Sequence, residues 1–317
     1  MKAPLWTRLL VVLLPLAAAC SGGQTNTVNP TPTPGQPVPT PTPTPTPSLV
    51  ATLVGAGDIA NCANDGGAHA EATAKLIERI NYDAVFTAGD NAYPCGTDAN
   101  FRDCYNPRWG RFRSRTYPSP GNHEYECGSG GVPYFNYFGD RAGPRGAGFY
   151  SYTLGNWHII SLNNYVGIAP GQEQYMWLVA DLEQARNDRV RCSLAYWHQP
   201  LFTSGPSAGT SGFMRPIWDL LYQYGVEVVI NGHDHLYERF GPQDANGRRD
   251  PVGPVEYLVG SGGASLYDFG TTMPNSLFQR KTYGVLKLTL RDVGWDSVFI
   301  EAGTETPFDA TLNNLCR

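Results

Sequence analysis

The chain has 317 residues, of which 41% are hydrophobic, and this composition is sufficient for a soluble globular body with a buried core. Its formal net charge is −5, and it contains no run of lysine or arginine. An acidic chain without a basic cluster lacks the electrostatic footprint of a protein that binds duplex nucleic acid. We therefore expect no nucleic-acid partner, and no feature of the sequence predicts a protein partner.

Residues 1–20, "MKAPLWTRLLVVLLPLAAAC", have the pattern of a secretory signal peptide. Lys2 and Arg8 precede an apolar run of about a dozen residues, too short to span a bilayer, and small residues follow it. Cys20, directly after "LAAA", resembles the lipobox cysteine of bacterial lipoproteins, which implies a lipid anchor. We expect an exported, membrane-anchored protein that faces the periplasm or the cell exterior. Release of the protein from the membrane is an alternative. The alternative is an ordinary cleavage site with Cys20 as an incidental thiol.

Residues 21–48 contain almost no apolar side chains and cannot support a packed core. Their threonine-proline repeats favour extended polyproline II, which predicts a disordered tether. An O-glycosylated stalk would have the same extended geometry. Neither a repeat nor a second linker interrupts residues 49–317, so we interpret them as one domain.

Six further cysteines follow Cys20, and an even number in an exported chain predicts up to three disulfides. They are Cys62, Cys95, Cys104, Cys127, Cys192 and Cys316. Cys95 and Cys104 are close in sequence and are expected to pair, and a bond from Cys192 to Cys316 would fasten the C-terminus. Because the chain has no CxxC or other compact sulfur motif, we expect no structural zinc site.

Apolar, β-rich runs recur between residues 49 and 231, and several of them end at a short polar cluster. The pairs are "LVATLVGA" before Gly57-Asp58, "YDAVFTA" before Gly89-Asp90, "RTYPSP" before "GNHE", "RCSLAYW" before His198, and "VEVVIN" before "GHDH". Nearly continuous apolar strands predict a sheet that is covered on both faces.

Helical periodicity appears between these runs, at residues 68–80, 171–187 and 212–225. The last of these segments is expected to bury Phe213 with Ile217 and Leu221. Alternating strands and helices predict an α/β fold, and the strand-rich segments after Gly241 suggest a second, more antiparallel sheet packed on the first. In such sheets the ligand crevice lies beyond the carboxyl ends of the strands, so the polar clusters are expected to converge there.

The polar clusters contain the ligand types for a pair of first-row metal ions. They comprise two carboxylates, a phenol, an amide and several imidazoles: Asp58, Asp90, Tyr93, Asn122, His123, His198, His233 and His235. Taken singly, an Asp after Gly at a strand end is more often a turn residue, and a lone His is usually structural. Five clusters in register favour a metal site.

The ordered series "GD", "GDNAY", "GNHE", "WH" and "GHDHLYER" resembles the calcineurin-like metallophosphoesterases, and in particular their purple acid phosphatase branch. Tyr93 and the "HLYER" tail are the discriminating features, because many other branches lack this tyrosine and carry a histidine where Ala60 lies. The resemblance covers residues 53–263. It implies an α/β/β/α sandwich, in which two packed mixed β-sheets are flanked by helices, with residues 49–317 as the catalytic domain.

The resemblance also implies a role for each matching residue. Asp58, Asp90, Tyr93 and His235 would bind a first metal, iron(III), and Asp90 would bridge to a second, divalent ion (Fe, Zn or Mn). That second ion would also take Asn122, His198 and His233, while His123 would contact phosphate and protonate the leaving group. Supporting positions beside these ligands are Glu124, Tyr237, Glu238 and Arg239.

The implied function is hydrolysis of small phosphate monoesters by a metal-bound hydroxide, as in acid phosphatases. A phosphodiesterase acting on nucleotides or phospholipid headgroups is the alternative, and specificity is expected in loops 96–120 and 128–155. A non-catalytic surface binding module is a third hypothesis, which the complete ligand set disfavours.

Three other features have structural alternatives. His158 is expected to be structural, and His69 lies either at the surface start of a helix or on the rim of the cleft. The aromatic segment 134–140 either lines a substrate pocket or packs in the core. The glycine-rich "GSGGASLYD" lacks the lysine and spacing of a P-loop and is interpreted as a tight turn near the site.

Overall fold

Two β-sheets carry the folded part of the chain, whose structure is a computed structural model that describes residues 49–304 and 306–317. The expected signal peptide, tether and lipidation site at Cys20 lie outside these described residues. Within them, thirteen strands divide into one sheet of six and one of seven. No helix in the described part of the chain is long and apolar enough to cross a membrane.

The first sheet has the strand order β13-β12-β11-β1-β2-β3. Its strands are β1 (Ala51–Ala56), β2 (Ala84–Ala88), β3 (Thr116–Ser119), β11 (Gly284–Arg291), β12 (Gly294–Glu301) and β13 (Pro307–Leu315). β1, β2 and β3 run parallel, whereas β11 pairs antiparallel with β1 and continues into the β12 and β13 meander.

The second sheet has the order β10-β8-β9-β7-β6-β5-β4. Its strands are β4 (Tyr150–Leu154), β5 (Trp157–Ser161), β6 (Cys192–Tyr196), β7 (Val228–Asn231), β8 (Tyr237–Phe240), β9 (Val255–Val259) and β10 (Ser276–Arg280). The central strands β5, β6, β7 and β9 run parallel. At one end of the sheet β4 pairs antiparallel with β5, and at the other end β8 pairs antiparallel with both β9 and β10. The prediction that the strand-rich segments after Gly241 form the second sheet is therefore wrong, because these strands divide between the two sheets. β9 and β10 join one sheet and β11 to β13 the other, because β11 pairs with β1.

Side-chain alternation along the strands builds two cores. On β6, Leu194 and Tyr196 belong to the core between the sheets, while Ala195 belongs to the core beneath the helices on the outer face. Val228 and Val229 on β7 divide in the same way. Strands buried on both faces explain the nearly continuous apolar runs in the sequence. The predicted α/β/β/α sandwich of two mixed sheets is confirmed.

Six α-helices are present among the described residues, and the longer ones cover the outer faces of the sheets. They are α1 (Cys62–Asp65), α2 (Ala68–Glu78), α3 (Asp98–Asn100), α4 (Val132–Phe138), α5 (Glu173–Asn187) and α6 (Arg215–Gln223). α5 and α6 bury Leu178, Leu182, Ile217 and Leu221 against the second sheet. Phe213 was expected on the buried stripe but is 44% exposed, because it precedes α6 in a short 3-10 turn.

Three disulfides join Cys62 to Cys104, Cys95 to Cys127, and Cys192 to Cys316. The predicted Cys192–Cys316 bond is present, but the expected pairing of Cys95 with Cys104 is wrong. Cys104 lies in a helical turn, Phe101–Tyr105, that packs beside α1, so its partner is the first residue of that helix. Three disulfides indicate folding in an oxidising compartment.

The aromatic segment 134–140, His158 and His69 have structural roles, as opposed to roles in the cleft. In the aromatic segment 134–140, Tyr134, Phe135 and Phe138 are buried in the hydrophobic core. His158 is buried on β5 and its Nε2 lies 2.9 Å from Asp181 Oδ2 on α5. His69 lies in the first turn of α2 and stacks on Tyr283 at a centroid distance of 3.9 Å.

Candidate metal centre

Five strand ends of the two sheets meet at one edge of the sandwich. Asp58 follows β1, Asp90 and Tyr93 follow β2, Asn122 follows β3, His198 follows β6, and His233 and His235 follow β7. Because the carboxyl ends of parallel strands share an edge, residues distant in sequence converge there, as predicted.

Local backbone geometry aims several of these side chains inward. Asp58, Asp90 and His233 have positive φ angles of 60°, 46° and 73°, a conformation that costs energy for residues other than glycine. Neighbouring glycines leave room for the side chains: a Cβ at Gly121 would lie 2.2 Å from Asp90 Oδ1, and one at Gly232 would lie 2.5 Å from Asp58 Oδ2. Strained backbone at a cluster of polar residues is typical of functional sites.

The first group of donor atoms surrounds the Tyr93 hydroxyl. Its oxygen lies 2.9 Å from Asp58 Oδ1, 3.1 Å from Asp90 Oδ2 and 3.0 Å from His235 Nε2. His235 Nε2 is itself 3.2 Å from Asp58 Oδ1. Two carboxylates, a phenol and an imidazole therefore share one small space.

The second group is centred on the amide oxygen of Asn122. Asn122 Oδ1 lies 3.0 Å from His198 Nε2 and 3.1 Å from His233 Nδ1, and these two ring nitrogens are 3.2 Å apart. His198 Nε2 also lies 3.1 Å from Asp90 Oδ2, so Asp90 touches both groups. Three donor atoms meeting within 3.2 Å of one another are an arrangement that suits ligands of one cation.

Backbone carbonyls fix the orientation of two of the imidazoles. His198 Nδ1 donates to Ala88 O at 2.9 Å, and His235 Nδ1 donates to Ser265 O at 2.7 Å. Because a carbonyl oxygen can only accept, each Nδ1 carries the hydrogen and Nε2 faces the cluster. Metal-binding histidines usually have such a carbonyl partner on the other ring nitrogen.

Negative charge dominates the cluster. Burial alone would lower the pKa of His198, but the carboxylates of Asp90 and Asp58 outweigh it and raise the pKa to about 10. Burial raises the pKa of Asp90, yet the His198 and His123 imidazoles bring it below its usual range. Burial and the same two carboxylates raise the pKa of Tyr93 well above its usual value. Asp58, Asp90 and His198 offer ligand atoms within 4.8 Å of one another, so these three residues could hold a metal ion.

His123 lies at the open side of the cluster. Its backbone N–H donates to Asp90 Oδ1 at 2.9 Å, its Nδ1 donates to Pro94 O at 2.5 Å, and its Nε2 lies 3.7 Å from Asp90 Oδ2. The side chain is 27% exposed, unlike that of the fully buried His198. Its Nε2 is thus available to a ligand.

Glu124 supports the loops that carry Asp90 and Asn122. Its carboxylate accepts hydrogen bonds from the backbone N–H groups of Asn91 at 2.9 Å and Gly121 at 2.8 Å. Tyr237 and Arg239 were expected to support the histidine loop, but both bind Asp309 on β13 and so link the two sheets. Glu238 accepts from the Ser204 hydroxyl and backbone N–H instead.

A cavity of about 330 Å³ opens beside the cluster. Its lining residues are Asp90, Asn122, His123, Pro206, Ser207, His233, Asp234, His235 and Tyr267. Substrate specificity was expected to lie in loops 96–120 and 128–155, but no residue of these loops is among the described residues that line this cavity. Pro206, Ser207, Asp234 and Tyr267 were not anticipated. The sequence offered a signal for two of them, since Asp234 lies within the "GHDH" cluster and Tyr267 lies in the glycine-rich turn expected near the site.

Residues 52–237 match the family model described as calcineurin-like phosphoesterase. The chain therefore belongs to the calcineurin-like phosphoesterase family. Its relatives include purple acid phosphatase 23 of Arabidopsis thaliana, 33% identical over 56% of this chain and 43% of the relative. Acid phosphatase type 7 of Homo sapiens is 32% identical over 65% of this chain and 55% of the relative. The chain thus spans about half or less of the length of these relatives.

Solved structures share the fold. The purple acid phosphatase PPD1 from yellow lupin (Lupinus luteus) seeds superposes with a TM-score of 0.69 at 22% identity, covering 83% of this chain and 53% of that one. GAP50, described as the anchor in the inner membrane complex of Plasmodium, has a TM-score of 0.66 at 14% identity, covering 85% and 90%. At these identities the likeness shows the fold alone.

Proposed function

We propose that this protein is a phosphatase that hydrolyses small phosphate monoesters with the help of two metal ions. The observation that supports this most directly is the convergence of seven donor side chains in two groups, with Asp90, one of the seven, touching both groups. The named relatives are acid phosphatases, which favours the same chemistry.

The donor set fits two cations rather than one. Asp58, Asp90 and Tyr93 can carry negative charge, whereas the amide and the three imidazoles are neutral ligands. A trivalent ion together with a divalent ion would leave net positive charge for a phosphate dianion. Two such ions supply charge neutralisation for the phosphate oxygens and a nucleophile at near-neutral pH. We propose iron(III) beside Tyr93 and a divalent Fe, Zn or Mn beside Asn122.

His123 would move a proton at the open side of the site. Because Nδ1 donates to Pro94 O, the second ring nitrogen, Nε2, faces the cavity. A protonated imidazole there would donate to the oxygen of the leaving alcohol as the bond to phosphorus breaks. The Asp90 carboxylate, accepting the His123 backbone N–H, fixes the position of this residue relative to the cluster.

The proposal is tested by assaying the purified protein on a chromogenic phosphate monoester before and after exhaustive chelation. We expect metal-dependent release of phosphate, lost on chelation and restored by iron with a divalent ion. Release that is unchanged by chelation, or absent at every metal composition, would contradict the proposal. Parallel assay of a chromogenic diester separates a monoesterase from a diesterase, because faster turnover of the diester would point to the latter.

We also propose that the domain is exported and held at a membrane through lipidated Cys20. The support is the signal-like segment 1–20 and the three disulfides of the domain. Metabolic labelling with a fatty acid tests the anchor: Cys20→Ser is expected to abolish the label and release the protein. Incorporation of label into the Cys20→Ser protein would contradict the assignment.

A further inference from the structure

The cavity beside the candidate metal centre has two walls of different chemistry. We divide the lining by its chemistry: the first wall is formed by Asp90, Asn122, His123, His233 and His235, and the second wall by Pro206, Ser207 and Tyr267, with Asp234 as the remaining lining residue. Its volume of about 330 Å³ lies at the lower end of the range of about 300–1,000 Å³ for ligand pockets. This is room for a phosphate and one ring, not for an extended ligand.

Tyr267 is held in place by the metal-site histidine His235. The two rings stack with centroids 4.0 Å apart and an interplanar angle of 12°, and the Tyr267 N–H donates to His235 O at 2.9 Å. The imidazole covers one face of the phenol, yet Tyr267 is still 37% exposed. The uncovered part of the ring is therefore available to a molecule in the cavity.

The other segment of the second wall, residues 203–207, is fastened to Asp234, the residue before His235. Asp234 is 1% exposed, and its Oδ2 accepts the Thr203 hydroxyl at 2.6 Å and the Ser207 hydroxyl at 2.9 Å. A Cβ at Gly205 would lie only 2.4 Å from the same oxygen, so the loop packs closely on this carboxylate. Both segments of the second wall are thus fixed to the stretch His233–His235. A preformed wall binds a ligand with little ordering cost.

The second wall offers no positive charge. Neither lysine nor arginine occurs among the described residues that line the cavity, and the Asp234 carboxylate is already bound by Thr203 and Ser207. A further phosphate or carboxylate on the leaving group would have no cationic side chain to pair with. The wall therefore suits an uncharged group.

We infer that Tyr267 and Pro206 form a leaving-group subsite that takes a single uncharged ring. Tyr267 contacts this ring and determines specificity, so that phosphate monoesters of phenols and of other ring alcohols are favoured over polyphosphates. The inference rests on the proposed phosphatase function, whose site it extends.

The test measures binding by calorimetry, using the metal-loaded full-length chain and two phosphonates that cannot be hydrolysed. We expect benzylphosphonate to bind about 3- to 10-fold more tightly than methylphosphonate, as aromatic contacts allow. Tyr267→Leu is expected to abolish this preference, and Tyr267→Phe to keep it. Tyr283→Leu is the matched control, because it removes a similar tyrosine–histidine stack, on His69, away from this cavity.

Equal affinity for the two phosphonates in the unmodified chain, or a preference that survives in Tyr267→Leu, would overturn the subsite. Absence of binding by either phosphonate would overturn it as well. Failure of the phosphatase function would look different: no phosphate ester would be hydrolysed, although the preference for benzylphosphonate persisted. A lower KM for phenyl phosphate than for inorganic pyrophosphate is expected in the unmodified protein.

Discussion

The two halves of the candidate metal centre differ in the charge of their donors. The half formed by Asp58, Tyr93 and His235 contains two acidic oxygens, whereas the half formed by Asn122, His198 and His233 contains only neutral donors. Asp90 touches both halves, 3.1 Å from Tyr93 Oη and 3.1 Å from His198 Nε2. Charged oxygen ligands suit a hard, highly charged cation, and imidazoles suit zinc or iron(II). The asymmetry favours two unlike ions in the proposed two-metal centre.

Removing the shared residue should damage both halves at once. Asp90→Asn keeps the size of the side chain but removes its charge, so we expect activity to fall by at least about 100-fold, together with loss of bound metal. Phosphatase assay and metal analysis measure the two effects. Asp181→Asn is the control, since it breaks an aspartate–histidine pair, with His158, outside the candidate metal centre. A fully active, metal-replete Asp90→Asn protein would refute the shared role.

Replacing His123 should separate proton transfer from metal binding. We expect His123→Gln to lower kcat by about 100-fold or more, because the leaving alcohol loses its proton donor, while both metals stay bound. The decrease in kcat should be smaller for substrates whose leaving groups need no protonation. An equal decrease for all leaving groups would contradict proton donation and would show that His123 only positions the substrate.

Glu124 tests how firmly the two halves are joined through the backbone. Its carboxylate accepts N–H groups from Asn91 and Gly121, next to residues of both halves. Glu124→Gln places an amide donor against these N–H groups, so we expect metal affinity to fall by about 10- to 100-fold. Titration with metal measures this, with the exposed Glu126→Gln as control. Unaltered affinity would show that the loops are held without Glu124.

Glu227 provides a contrast at the other end of β7, away from the metal centre. It is 1% exposed and accepts the Ser193 N–H at 2.8 Å, and burial raises its pKa to about 7. The pKa of glutamate in an unfolded chain is about 4.3. The folded state therefore loses stability as the pH rises from about 4.3 to about 7, because the buried carboxyl group must ionise. Glutamine does not ionise, so in Glu227→Gln we expect the decrease in the free energy of unfolding over this pH range to be smaller by about 1–3 kcal/mol. Unfolding curves at pH 5 and 8 check this, and equal pH dependence in both proteins would contradict it.

The order of the elements and the position of the cluster followed from local patterns. Apolar runs such as residues 82–88 ended at the polar residues that the sheets bring together, and this is a property of parallel strands. Local patterns did not predict which of the two sheets each strand joins, because the pairing of β11 with β1 brings together residues more than 200 positions apart. No local signal marks such a contact.

The second wall of the cavity was also beyond local patterns. Tyr267 stacks on His235 across a loop, and Ser207 reaches the site only because Asp234 binds its hydroxyl. The disulfide of Cys95 shows the same limit: nearness in sequence favoured Cys104, but the fold brings Cys127 to it. Contacts that depend on how loops return to the sheet edge cannot be read from spacing.

The most direct test of the asymmetric two-metal centre is a visible absorption spectrum taken with metal analysis, on the unmodified protein and on Tyr93→Phe. We expect about two metal ions per chain, as a dinuclear site requires, and a broad charge-transfer band from the Tyr93 phenolate to iron(III). Tyr93→Phe should remove the band and weaken iron binding while the protein stays folded. Fewer than one metal ion per chain, or an unchanged band in Tyr93→Phe, would contradict the account.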